Sequence, residues 1–130
     1  MIIDTSALAA ILFDEPEQAQ LVDVVADTSS AGLSAASLLE LSIVLDRRSG
    51  PALHRQADQL RRDLGVHIEP FTQTQAEIAR AAYHEFGRGS GHPAKLNFGD
   101  CFAYALAIDL DEPLLWVGDA FGHTDVRSAR

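Results

Sequence analysis

A chain of 130 residues, 47% apolar and 22% charged, has the makeup of one globular domain. That excludes a disordered tail, a collagen-like repeat and a low-complexity scaffold. Nineteen acids against nine arginines and a single lysine, Lys95, leave a formal charge of −9; taken in bulk, this balance argues against nucleic-acid binding, because phosphate contacts draw on Lys and Arg.

Met1-Ile2-Ile3-Asp4 reads as a short buried strand, with no basic region or signal-peptide core before it. Thr5 to Phe13 is rich in Ala and Leu and has helical character. Asp14-Glu15-Pro16-Glu17 is expected to open a second helix, with Pro and acids in its first turn, running to about Ala26. Ala31-Gly32-Leu33 is a brief, weakly signalled extended piece. Ser34 is a plausible N-cap for a helix through Arg48, with Leu38, Leu41 and Leu45 as its core stripe. Ser49-Gly50-Pro51 stops that helix and starts the next, which runs to Leu64 before Gly65.

Val66 to Pro70 reads as a strand ended by proline. Thr72 or Thr74 starts a helix through Phe86, and Gly87-Arg88-Gly89-Ser90-Gly91-His92-Pro93 is expected to be a mobile surface loop. Asn97-Phe98-Gly99-Asp100 leads into a helix that is apolar nearly all round and therefore buried. Pro113 to Val117 is a continuous apolar strand, and the tail from Thr124 is short and polar. Strands alternating with helices predict a small α/β domain over residues 1–130, its mainly parallel sheet covered on both faces. One cysteine, Cys101, excludes an internal disulfide and a cysteine-rich zinc site, and fits a reducing cytoplasm. No stretch approaches the ~18 consecutive apolar residues of a membrane span.

Four acids stand at special places. Asp4 and Asp119 follow strands, Asp100 stands at the front of the buried helix, and Glu40 is set in the apolar run Ala35-Ala36-Ser37-Leu38-Leu39-Glu40-Leu41. In parallel α/β sheets, ligands bind outside the carboxyl ends of the strands, where the following helices begin, so all four can converge there. Each also has a purely local explanation. Asp4 could cap the helix after it, Glu40 could close a capping box with Ser37, Asp100 could answer its helix dipole, and Asp119 could be a turn residue. Local roles leave the gathering of the acids unexplained. Buried carboxylates are costly unless paired or bound to metal. No arginine lies near Asp4, Asp100 or Asp119 in sequence, which makes a divalent cation the economical counterion. Oxygen ligands alone point to Mg²⁺, or Mn²⁺ as a substitute, rather than zinc. Such an ion suits phosphoryl chemistry, and without it clustered carboxylates should have raised pKa values.

Other sites are weaker. The glycines at 87, 89 and 91 lack the spacing of a dinucleotide fingerprint, and no Walker motif or Gly-x-Ser-x-Gly elbow is present. The five histidines show no metal-ligand spacing, and Asp4-Thr5-Ser6 lacks the second aspartate of an aspartyl-phosphate phosphatase.

Three stretches together resemble PIN-domain ribonucleases, and more narrowly the VapC toxins of bacterial type II toxin–antitoxin systems. They are Met1-Ile2-Ile3-Asp4-Thr5-Ser6-Ala7, the helix from Ser34 to Glu40, and His92 to Ala107; the closing run Leu114 to Val126 also fits. The resemblance spans the chain in order and implies a single PIN domain, an α/β/α sandwich with a small twisted sheet. By position, Asp4, Glu40 and Asp100 match the family's acidic triad, with Asp4 and Asp100 as metal ligands, and Asp119 matches its more variable fourth place. Ala120 stands where many relatives have a further acid or Asn, which leaves open whether Asp119 or Asp125 completes the site. Ser6 matches a small hydroxyl residue suited to orient a carboxylate, and Asn97 lies beside the site. Lys95, Arg47, Arg48 and Arg88 are the candidate RNA contacts; for Arg47 and Arg48 a solvated helix end is an equal explanation.

The resemblance implies Mg²⁺- or Mn²⁺-dependent cleavage of RNA, such as structured RNA or tRNA. It also implies neutralisation by a VapB-type antitoxin, a toxin homodimer and a higher-order assembly with the antitoxin. A catalytically silent, partner-binding PIN module and a small-molecule phosphatase are the alternatives.

Overall fold

In the computed structural model, residues 1–48 and 50–130 are described; Ser49, expected at a helix break, lies outside them. Four parallel strands form one sheet in the order β3-β2-β1-β4. They are β1 (Ile2–Ile3), β2 (Ala31–Ser34), β3 (Val66–Glu69) and β4 (Leu114–Leu115). The helices between them are α1 (Thr5–Leu12), α2 (Gln18–Ala26), α3 (Ala35–Arg48), α4 (Pro51–Asp63), α5 (Gln73–Phe86) and α6 (Asp100–Asp109). A 3₁₀ turn, Ala120–His123, follows β4. Among the described residues no helix is long and apolar enough to cross a membrane.

Alternation along the strands sorts the interior into two cores. Ile2 and Leu114 face α5 and α6, joining Ala82, Phe86, Leu96, Tyr104 and Leu106. Ile3 and Leu115 face the other side, joining Leu8, Ile11, Leu21, Leu33, Leu41 and Leu45 from α1, α2, β2 and α3. Fully burying such a side chain contributes roughly 1.5–3 kcal/mol, so both faces of even a two-residue strand are used. The result is the α/β/α sandwich expected from the alternation of strands and helices.

The elements differ from expectation in their boundaries. α2 begins at Gln18, not at the acidic Pro-containing segment. Asp14 takes a left-handed conformation (φ 54°), and Gln18 Nε2 donates to Asp14 Oδ1 at 2.7 Å, so residues 14–17 form a tight α1–α2 connection. β4 is two residues long because Trp116 and Val117 leave the sheet. Ser34 ends β2 and also receives the Ala36 N–H on its Oγ at 3.3 Å, so it serves strand and helix together. The capping box that Ser37 and Glu40 could have closed, one of two explanations for Glu40, is not formed: α3 has already begun at Ala35, and Ser37 Oγ is buried without a partner. The glycine-rich loop has a hydrogen-bonded base rather than a free span. Arg88 N–H donates to the Leu96 carbonyl at 3.0 Å, and Leu96 N–H to the Phe86 carbonyl at 2.9 Å. Gly87 has no room for a Cβ, which would strike the Tyr83 carbonyl oxygen.

Strand order places a switch point beside β1. The chain leaves β1 toward β2 and β3 on one side, then returns to pair β4 on the other. Crevices outside the carboxyl ends of such strands are where α/β sheets bind ligands.

Candidate active site

A cleft of about 370 Å³ opens at that switch point. Asp4 and Ser6 from the end of β1, Asn97 and Asp100 from the start of α6, and Val117 to Phe121 from the segment after β4 line it. Arg88, Pro93, Ala94 and Lys95 form the remaining wall, brought there by the closed base of the glycine loop.

Each of three carboxylates is held through one oxygen. Asp4 Oδ2 accepts from the Ser6 N–H at 2.9 Å and from Ser6 Oγ at 2.5 Å, so it caps α1 while facing the cleft. Capping and a site role were set as alternatives for Asp4; the geometry lets one side chain serve both. Ser6 Oγ in turn accepts from Val117 N–H at 3.1 Å, tying the segment after β4 to Asp4. At α6 a reciprocal pair forms: Asp100 N–H donates to Asn97 Oδ1, and Asn97 N–H to Asp100 Oδ2, each at 2.8 Å. This is the capping-box arrangement, found at Asn97 and Asp100 instead of Ser37 and Glu40. Glu40 Oε2 accepts from Thr5 Oγ1 at 3.1 Å. No hydrogen bond from the described residues reaches Asp4 Oδ1, Asp100 Oδ1 or Glu40 Oε1.

The three acids also share an electrostatic environment. Burial pushes Asp4 up to about 6, against the pull of the Ser6 hydrogen bonds, and the Asp100 charge adds to the rise. Glu40 is raised by burial first and then by the charge of Asp4. Asp100 is raised by burial, opposed by the Asn97 N–H and the Arg88 guanidinium. Burial raises all three, and for Asp4 and Glu40 neighbouring like charge adds to it.

The other expected residues divide. Asp119 lies four residues beyond β4, exposed on the cleft wall at the front of the 3₁₀ turn. Asp125 does not line the cleft; it accepts from Tyr104 Oη at 2.6 Å. Lys95 and Arg88 do line it, and Lys95 takes φ 50°, a conformation uncommon outside glycine. Arg48 stacks its guanidinium 4.5 Å above the Phe13 ring. Arg47 lies in a neighbouring apolar groove with Leu39, Ile43 and Phe98. Two contributors went unread in the sequence, Thr5 and Gly99. A hydroxyl directly after a strand-end acid was the only signal for Thr5, and Gly99 looked like an ordinary residue leading into a helix.

Among the described residues no group of three or more His, Cys, Asp or Glu side chains is disposed to hold a metal ion. The donor set nonetheless fits a hard divalent cation. The candidate donors are all carboxylate oxygens, each acid has one oxygen uncommitted, and the cluster's like charges call for a counterion. A small ion that keeps most of its waters needs only one or two protein carboxylates.

A PIN-domain family profile matches residues 1–126. Ribonuclease VapC28 of Mycobacterium tuberculosis is 56% identical over 129 residues, covering 99% of this chain and 97% of the relative. Ribonuclease VapC of Mycolicibacterium smegmatis is 46% identical over 126 residues, covering 97% of each. Among solved structures, M. tuberculosis VapC20, a toxin that cleaves the sarcin-ricin loop, superposes with a TM-score of 0.73 at 19% identity, covering 96% of this chain and 95% of that one. A toxin–antitoxin complex from Klebsiella pneumoniae gives 0.69 at 19% identity, covering 95% of this chain and 92% of that one; these two likenesses concern the fold. With its sequence relatives and its family profile in agreement, the chain belongs to the PIN-domain family, among the VapC ribonuclease toxins.

Proposed function

We propose that the chain is a Mg²⁺-dependent endoribonuclease, with Mn²⁺ as a substitute, and the toxin of a pair neutralised by a VapB-type antitoxin. The observation behind this is the acid cluster itself: Asp4 and Asp100 line the cleft whose wall bears Arg88 and Lys95, Glu40 borders it from the adjoining apolar groove, and each of the three is tied by one oxygen and open at the other. Asp4 and Asp100 hold the metal, while Glu40 and Asp119 complete the negative surround. When bound, the ion activates water and offsets charge on a phosphate. Ser6 and Asn97 fix the two ligand carboxylates in rotation. Arg88 and Lys95 place the RNA backbone against them. Identity with VapC ribonucleases supports the substrate class, and the net charge of −9 suits a basic antitoxin segment. A homodimer has support in exposed apolar side chains on adjoining grooves: Leu39 (64% exposed), Ile43, Tyr83 and Phe98 (78%).

The test incubates the purified chain with total cellular RNA. Cleavage is expected with Mg²⁺, and it falls to background with EDTA or in Asp100→Asn. Undiminished cleavage by Asp100→Asn removes the site assignment. Turnover of a small phosphate ester with RNA left intact points to a phosphatase, and no reaction at all to a silent binding module. Lys95→Asn provides a finer measurement. Asn tolerates a positive φ, so the melting temperature holds or rises. KM for RNA rises several-fold, and the slope of log affinity against log salt shrinks by roughly 0.7–1. An unchanged salt slope would place Lys95 off the RNA path.

A further inference from the structure

Glu40 is gripped from two sides. Thr5 Oγ1 shares its one proton between Glu40 Oε2, the nearer acceptor at 3.1 Å, and the Ser37 carbonyl at 3.3 Å. On the opposite side the carboxylate rests against Gly99. A Cβ there would overlap Glu40 Oε1 and Cδ, and would sit 2.7 Å from Oε2. Gly99 has helical backbone angles, φ −65° and ψ −40°. Any residue adopts those angles, so what a Cβ here would meet is the Glu40 carboxylate, the movable end of a flexible side chain, which it would push aside.

The placement of the two anchors gives them their interest. Thr5 is the chain neighbour of Asp4, and Gly99 is the chain neighbour of Asp100. Glu40 comes from α3, on a separate element, and reaches the cluster along a flexible side chain. Its carboxylate is therefore referenced to each of the other two acids by a residue one peptide bond away. A purely structural account explains less. A buried threonine could satisfy its hydroxyl on Ser37 alone, and a leading glycine before a helix needs no carboxylate packed on its Cα.

We propose that Thr5 and Gly99 are positioning residues that fix the Glu40 carboxylate relative to Asp4 and Asp100, by a hydrogen bond on one side and a missing side chain on the other. This rests on the ribonuclease reading and deepens it. Outer residues that orient the groups around a metal typically cost 10–100-fold when removed. The effect should fall on kcat, because the RNA-binding wall is untouched.

The experiment uses the full chain with total RNA and, separately, Mn²⁺ alone followed by thermal melting. Thr5→Val and Gly99→Ala are each expected to lower kcat roughly 10–50-fold with KM changed by less than about twofold. Thr5→Ser, which keeps the hydroxyl, stays within about threefold of the parent. Thr5→Val added to Glu40→Gln should lower neither cleavage nor the Mn²⁺-induced melting rise beyond Glu40→Gln alone. In the single variants that melting rise is reduced as it is in Glu40→Gln.

Full cleavage by Thr5→Val overturns the proposal, as does equal loss in Thr5→Ser, or a further loss on top of Glu40→Gln. The two readings separate cleanly. If the parent cleaves no RNA but its Mn²⁺ response drops in Thr5→Val and Gly99→Ala, the ribonuclease reading fails and the clamp stands. If RNA is cleaved and both variants behave as the parent, the clamp alone fails. No cleavage and no Mn²⁺ response overturns both.

Discussion

Asp4→Asn is expected to make the metal-free protein more heat-stable at pH 7.5 while lowering RNA cleavage on the order of 10³-fold. The stability half follows from the proton balance of the buried carboxyl. Asp4 is raised from 3.8 to about 6 in the folded chain, so between those values the folded state keeps a proton that the unfolded state has released. Stability therefore falls as pH rises through that window. Above it, the buried charge costs about 3 kcal/mol. Asparagine removes the charge and can still accept the Ser6 N–H as the cap of α1. Recovering part of that cost raises the melting temperature by roughly 3–10 °C for a chain of this size. At pH 4 and below, where the native Asp4 is already neutral, the gain should vanish. Melting curves in EDTA at the two pH values decide the matter. A lower melting temperature at pH 7.5, or an equal gain at both pH values, would contradict it. Function held at the expense of stability is common in catalytic sites.

Divalent metal should then produce a stability increment that protons compete away. At pH 7.5, Mg²⁺ or Mn²⁺ at 100 times its dissociation constant stabilises the fold by about 2.7 kcal/mol, a rise of roughly 10 °C. At pH 5 Asp4 holds its proton, and Glu40 and Asp100 are shifted in the same direction. Metal must displace the Asp4 proton, so the increment shrinks at equal metal concentration. EDTA removes the increment and the cleavage together. A pH-independent increment would place the ion away from these acids.

How much of this was legible in the sequence varied with the kind of interaction. Both cores were readable, because Ile2-Ile3 and Leu114-Leu115 are continuous apolar runs and α6 is apolar all round. Strand length was not, since β4 ends where its neighbour ends and not where hydrophobicity does. Pro16 and its flanking acids resemble a helix start, but the short α1–α2 connection uses them as a turn. The acids at 4, 40 and 100 could be placed at one sheet edge because strand ends and helix starts meet there. Which oxygen each one commits could not be read, because that depends on partners such as Val117 for Ser6 and Thr5 for Glu40. The void at Gly99 depends on a side chain 59 positions earlier, and no local pattern announces it.

The −9 charge, which in bulk argued against nucleic acid, includes the three acids whose repulsion asks for a cation. The strand order also has a consequence for synthesis. Ser6 meets Val117 across 111 residues, and Ile2 pairs with Leu114. At ~5–20 residues per second, a ribosome has exposed Asp4 and Glu40 for several seconds before Asp100 and the last strand arrive to join them. A growing chain therefore carries Asp4 and Glu40 without their third acid until Asp100 is made, and the cluster can assemble only after that.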